Sequence, residues 1–145
     1  MKKDLNYLGT FIINSCKHVT NHEVINNELV VTTKTSDIYV LLDELKKIDD
    51  LNFEMLLDIT AVDYPQRSKR FELVYNLLSI KNNLRIRVKF FLNDNEIIPS
   101  VSNLYKSACW YEREVWDMYG LSFSGNNDLR RILTDYGFEG HPLRK

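Results

Sequence analysis

Residues 110–119 (WYEREVWDMY) hold the densest set of side chains that could do chemistry: Glu112, Arg113, Glu114 and Asp117, set among aromatics. Two carboxylates held close together can divide the work of a general acid and a general base. On a helix Glu112 and Glu114, two apart, point in different directions, whereas Glu114 and Asp117 share a face. Arg113, four residues before Asp117, shares that residue's face too and competes for it as a structural partner. With the cation preceding the anion, such a pair contributes only about a few tenths of a kcal/mol when solvated. Metal and nucleophile patterns are weaker. His18, His22 and His141 are scattered. His18 and His22, four apart, would share a helical face, but no HExxH surrounds them. Cys16 and Cys109 form no CxxC, cannot supply the four protein ligands of a usual iron–sulfur cluster, and read as reduced, packed thiols. There is no GxGxxG, no Walker loop, and no Ser-His-Asp or Cys-His set to assemble. The residues alone give no active site.

The carboxylates need a helix to position them, and the sequence supplies one. No Pro or Gly interrupts the chain from Trp110 until Gly120, which stands where a left-handed residue commonly ends a helix. Trp110, Tyr111, Trp116 and Tyr119 fall at different angles around it, so one core-facing stripe cannot take them all. Two readings stay open: a helix buried on several sides, partly by another protein, or a core helix with one aromatic face and one wet charged face.

The rest of the chain is ordinary globular sequence. At 145 residues with 44% hydrophobic and 27% charged side chains, it has the makings of one domain with a real core. A formal charge of −1 gives no reason to expect nucleic acid or a membrane surface as partner. No apolar run is long enough to span a bilayer, so membrane association would come only through partners. The N-terminus has neither a signal-peptide nor a transit-peptide character, and the chain is expected to work in the compartment where it is made. Its wealth of Asn, Ile, Lys, Phe and Tyr fits an AT-rich genome.

Taken in order, residues 4–20 carry Leu5, Leu8, Ile12 and Cys16 at helical spacing. Turns are expected at Asn21 and at Asn26-Asn27, then a strand over 28–35. Ser36 is placed to cap a helix whose stripe is Ile38, Leu41, Leu42, Leu45 and Ile48. Residues 53–62 read as a strand, 63–70 as a loop, and 71–80 with 84–92 as a hairpin. In its second arm Arg85, Arg87 and Lys89 alternate with apolar residues, a face for solvent or, less favourably, an acidic partner. Pro99 and Ser100 open a helical turn leading into the Trp110 helix. After Gly120 the pattern turns irregular. The predicted class is α+β: a mostly antiparallel sheet packed with helices, followed by an irregular extended C-terminal segment. Residues 1–120 would be the domain, and 121–145 a docking segment of the same unit.

The strings EREVWDMYG and DLRRILTDYGFEGHPLRK, with LLDITAVDYPQRSKRFELVYNLLS upstream, resemble the C subunit of respiratory complex I, the proton-pumping NADH:quinone oxidoreductase. The mitochondrial form is called subunit 9. The resemblance spans about residues 53–145. It implies a core subunit of the peripheral arm, without redox centres, that supports the quinone-site subunit while electrons pass from NADH to quinone. The partners implied are that subunit and other peripheral-arm subunits, with no nucleic acid. FMN, NADH, quinone and the iron–sulfur clusters would be bound by other chains, and this chain would carry no catalytic residue. The same domain type occurs in membrane-bound hydrogenases and in the ferredoxin-linked plastid-type dehydrogenase, which is the alternative reading.

By this resemblance Glu112, Arg113, Glu114, Asp117 and Gly120 lie on the signature helix. Asp128, Arg130, Arg131, Asp135, Gly137, Gly140, His141, Pro142 and Arg144 match the segment after it. All are expected to serve docking and fold, since Arg forks suit buried interfaces and Gly and Pro fix a loop for a partner to read. The implied location is the matrix side of the mitochondrial inner membrane, for a chain made in the organelle, or the cytoplasmic face of a bacterial membrane. The chain departs from the family at Asn126-Asn127, where His-Pro is common. It also ends at Lys145, where relatives usually continue into a long tail that lies along the neighbouring subunit.

Overall fold

A computed structural model describes residues 5–93 and 95–125. Five strands form the main sheet: β1 (Val19–Ile25), β2 (Glu28–Thr33), β3 (Met55–Asp63), β4 (Phe71–Ser79) and β5 (Leu84–Leu92), in the order β1-β2-β5-β4-β3. All pairings are antiparallel except β2 with β5. The α+β class and mostly antiparallel sheet expected from the sequence are thus observed. Helices α1 (Leu5–Ser15), α2 (Ile38–Lys47) and α3 (Lys106–Tyr119) pack with the sheet. A second sheet of two short strands, β6 (Ile97–Pro99) and β7 (Ser122–Ser124), pairs in parallel.

Local chemistry explains these elements. In β4 and β5 burial alternates residue by residue, the pattern of a sheet with one face on a core. Leu73, Tyr75, Val88 and Phe90 go inward, while Arg85 and Arg87 go out. Arg87 meets Glu28 at 2.8 Å and Lys89 meets Glu72 at 3.4 Å, so neighbouring strands balance part of that cationic face. α2 buries Ile38, Leu41, Leu42 and Leu45 completely and turns Asp43 and Lys47 outward as an i,i+4 pair. Asn26 and Asn27 both take positive φ (50° and 63°), as a two-residue hairpin turn requires, and join β1 to β2.

Several expectations give way. The first helix stops at Ser15, and Asn21 lies within β1, not in a turn. β1 is polar and largely exposed, so it lacks the apolar alternation that marks a strand. Consequently His18 and His22 share no helical face: His18 sits in the turn after α1 and His22 in β1. Ser36 is not the helix cap. It lies in a single 3₁₀ turn, Thr35–Asp37, and Asp37 precedes α2 with no side-chain cap bond. Pro99 ends a strand, but the helical turn expected after it is present, with the Leu104 and Tyr105 N–H groups both donating to the Val101 carbonyl at 3.0 Å, and α3 follows from Lys106. Of the segment expected to be irregular after Gly120, Ser122–Ser124 forms a short strand against β6, and residues 126–145 lie outside the described residues.

Candidate docking site around the buried carboxylates

α3 is tied down at its start by two side chains. Tyr105 donates its hydroxyl to the Phe53 carbonyl at 2.6 Å, and Ser107 donates to the Leu56 carbonyl at 3.0 Å, fixing the helix along β3. Its end is set by Gly120, at φ 77°, whose N–H donates to the Trp116 carbonyl at 2.9 Å. This is the left-handed ending that the sequence predicts.

Between these ends the helix buries two carboxylates within its apolar inner face. Glu112 and Asp117 are fully buried, along with Ala108, Val115 and Met118, whereas Trp110 is 51% exposed. Glu112 accepts from the Ser100 hydroxyl at 2.6 Å with one oxygen and from the Val101 N–H at 2.8 Å with the other. Ser100 and Ser102 hydroxyls lie 2.9 Å apart, and the Ser100 N–H donates to the Ser124 carbonyl at 2.9 Å. A carboxylate buried in this way must be satisfied by donors, and the turn after β6 provides them. Sequence spacing could not find this knot, because Ser100 and Val101 approach Glu112 only through the fold. Burial and the nearby Glu112 charge push the Tyr75 hydroxyl well above its usual range.

Arg113 stacks with its guanidinium carbon 5.4 Å from the Trp110 ring centroid, and Glu114 is exposed. Tyr119 meets Phe71 edge-on at 6.2 Å, and burial with the Asp63 charge raises its hydroxyl pKa. Asp63 in turn holds Arg70 in a two-bond fork of 2.6 and 2.8 Å. Thus the structure brings Glu112 and Asp117 to the inside of the helix and leaves Glu114 outside. Asp128, Arg130, Arg131, Asp135, Gly137, Gly140, His141, Pro142 and Arg144 lie outside the described residues.

As chemistry, this arrangement suits support better than turnover. Both Glu112 oxygens already accept hydrogen bonds from the protein, which makes the group a strut between α3 and the β6 turn. Neither cysteine forms a disulfide among the described residues. Burial, with Glu44 nearby, pushes the Cys16 pKa to about 12, which suppresses the reactive thiolate. His18 lies 3.6 Å from Asp37 and 4.0 Å from Glu44. Among the described residues no group of three or more His, Cys, Asp or Glu side chains is set to hold a metal. No described helix is long and apolar enough to cross a membrane.

Residues 31–145, including the whole of α3 and the strut, match the family described as "Respiratory-chain NADH dehydrogenase, 30 Kd subunit". The chain belongs to this family. Among relatives of this 30 kDa subunit family, a probable mitochondrial NADH-ubiquinone oxidoreductase 30.4 kDa subunit of Candida maltosa is 48% identical over 145 residues. That alignment takes in 99% of this chain and 52% of the relative. The C subunit of the NADH-quinone oxidoreductase of Rickettsia felis is also 48% identical, over 84% of this chain and 59% of its own. The chain therefore spans little more than half the length of these relatives. In a solved structure of the membrane-bound sulfane sulfur reductase, an archaeal respiratory membrane complex, one chain superposes with a TM-score of 0.76 at 29% identity. It covers 90% of this chain and 77% of that one.

Proposed function

We propose that this protein is a core, non-redox subunit of the peripheral arm of proton-pumping NADH:quinone oxidoreductase. It would support the quinone-site subunit while electrons pass from NADH to quinone. The observation that carries this reading is the family match over residues 31–145, which runs through the buried-carboxylate helix. A helix that hides two carboxylates and presents a half-exposed Trp agrees with a scaffold that docks, since Trp is favoured at the centres of protein interfaces. In this reading the chain binds no cofactor itself, and FMN, iron–sulfur clusters, NADH and quinone are held by neighbouring subunits. Its place is the matrix side of the mitochondrial inner membrane or the cytoplasmic face of a bacterial one; relatives of both kinds match at about the same identity. An equivalent post in a hydrogenase-like or ferredoxin-linked assembly is less well supported. The 48% relatives carry NADH oxidoreductase names, against 29% for the sulfane sulfur reductase chain.

Gentle detergent extraction, native-gel separation and mass spectrometry test the proposal. Migration with flavin- and iron–sulfur-containing subunits and NADH dehydrogenase activity is the expected result. Migration alone, or with a hydrogenase, overturns it.

A further inference from the structure

The loop between β3 and β4, residues 64–70, forms a cationic corner. Its base is closed by the Asp63–Arg70 fork and by the Tyr64 N–H donating to the Arg70 carbonyl at 2.7 Å. Tyr64 is tethered through its hydroxyl, which donates to Glu72 at 3.4 Å. On that ring lies Arg67, its guanidinium carbon 3.7 Å from the centroid and 5.9 Å from the Phe91 ring. Stacking of this kind orders a long side chain before any partner arrives.

Next to Arg67 the surface dips into a shallow basin of about 580 Å³, lined among others by Lys69, Lys34, Phe91, Glu96 and Ile97. Its carboxylate, Glu96, already accepts from the Thr35 hydroxyl at 3.3 Å. Ile97 is 64% exposed on the rim. Among the described residues Arg67, Lys69 and Lys34 make no ion pair. Arg70, Arg87, Lys81 and Lys89 each have an acidic partner. The chain as a whole is slightly acidic, so this corner runs against its average charge.

We propose that this corner and its basin are a docking surface for an acidic segment of a neighbouring subunit. Carboxylates would lie against Arg67, Lys69 and Lys34, and an apolar side chain on Phe91 and Ile97. Charge complementarity with one pre-ordered arginine and two exposed lysines favours such a partner and steers its approach. The inference rests on the proposed place in a multisubunit assembly and adds a surface to it, away from the carboxylate strut.

Carbodiimide coupling tests it, because the reagent joins lysine amines only to carboxylates in contact. The assembly containing this chain is isolated intact, treated, and analysed by cross-link mass spectrometry. The expected products join Lys69 or Lys34 to Asp or Glu of a second polypeptide. In assemblies carrying Arg67→Glu those products should fall about tenfold, since a like charge at the contact opposes the partner. The free variant should melt as the parent does, because Arg67 lies on the surface. Products confined to this chain's own acids, or unchanged by Arg67→Glu, overturn the inference. Co-migration with NADH dehydrogenase subunits is read separately on the native gel. A chain found there without the cross-links sinks the docking surface alone. Cross-links to subunits of a different machine sink the proposed function alone.

Discussion

Helices α2 and α3 solve the same packing problem in opposite ways. α2 puts four aliphatic side chains inside and its charges outside, so non-directional burial holds it. α3 puts Glu112 and Asp117 inside and leaves Trp110 half in solvent. The first arrangement tolerates small shifts, because any close apolar contact will do. The second does not, because a buried carboxylate needs its donors at bonding distance. A helix of the second kind is fixed in rotation as well as in place.

The comparison can be broken from either side. The largest effect is expected from Leu42→Ala, about 2–5 kcal/mol from lost burial and an unfilled cavity, read by urea unfolding. A neutral result would mean that α2 is not held by its stripe. Glu112→Gln should cost about 1–3 kcal/mol, since an amide cannot accept from both Ser100 and Val101 as the carboxylate does. If Glu112→Gln melts like the parent, the strut is not what locks α3. Trp110→Ala should move the stability of the isolated chain by no more than about 0.5 kcal/mol, as exposed positions do, yet reduce the amount recovered in the assembly on a native gel. Asp43→Asn on the wet face of α2 should matter least, about 0.3–0.5 kcal/mol.

Alkaline pH sharpens the contrast by another route. Cys16 has a folded pKa of about 12 against an ordinary value of 9. Its contribution to stability is therefore complete below pH 9 and is lost as pH rises from 9 through 12, where the unfolded thiol ionises first. Melting temperature should fall more steeply above pH 9 for the parent than for Cys16→Ala. At pH 8 a thiol reagent should label Cys16 slowly until the chain is unfolded, because its folded thiolate is scarcer by roughly three orders of magnitude than that of an ordinary thiol of pKa 9.

How far the sequence could be read follows the same division. The stripe of α2, the alternation of β4 and β5, and the Gly120 ending are local patterns, and each appears where local physics puts it. β1 was illegible because Thr20, Asn21 and Glu23 are exposed and little alternates. The pairing of β6 with β7 joins three-residue segments that no short window contains. Which face of α3 turns inward was also hidden, since aromatics surround the helix and the deciding donors come from Ser100 and Val101. The family strings were readable at once, but they say which residues recur in such proteins, not that Glu112 faces a turn.

The parallel seam between β2 and β5 has a consequence for the order of events as the chain folds. β1 with β2, and β4 with β5, are each antiparallel pairs joined by short turns, able to zip locally. The seam joins Leu29 to Ile86 across α2, β3 and β4, and must wait for that long stretch to be closed. Two hairpins should therefore form early and meet late. Native-state hydrogen exchange should show the β2–β5 amides opening together, as the hinge along which the α1–β1–β2 unit lifts away from the rest.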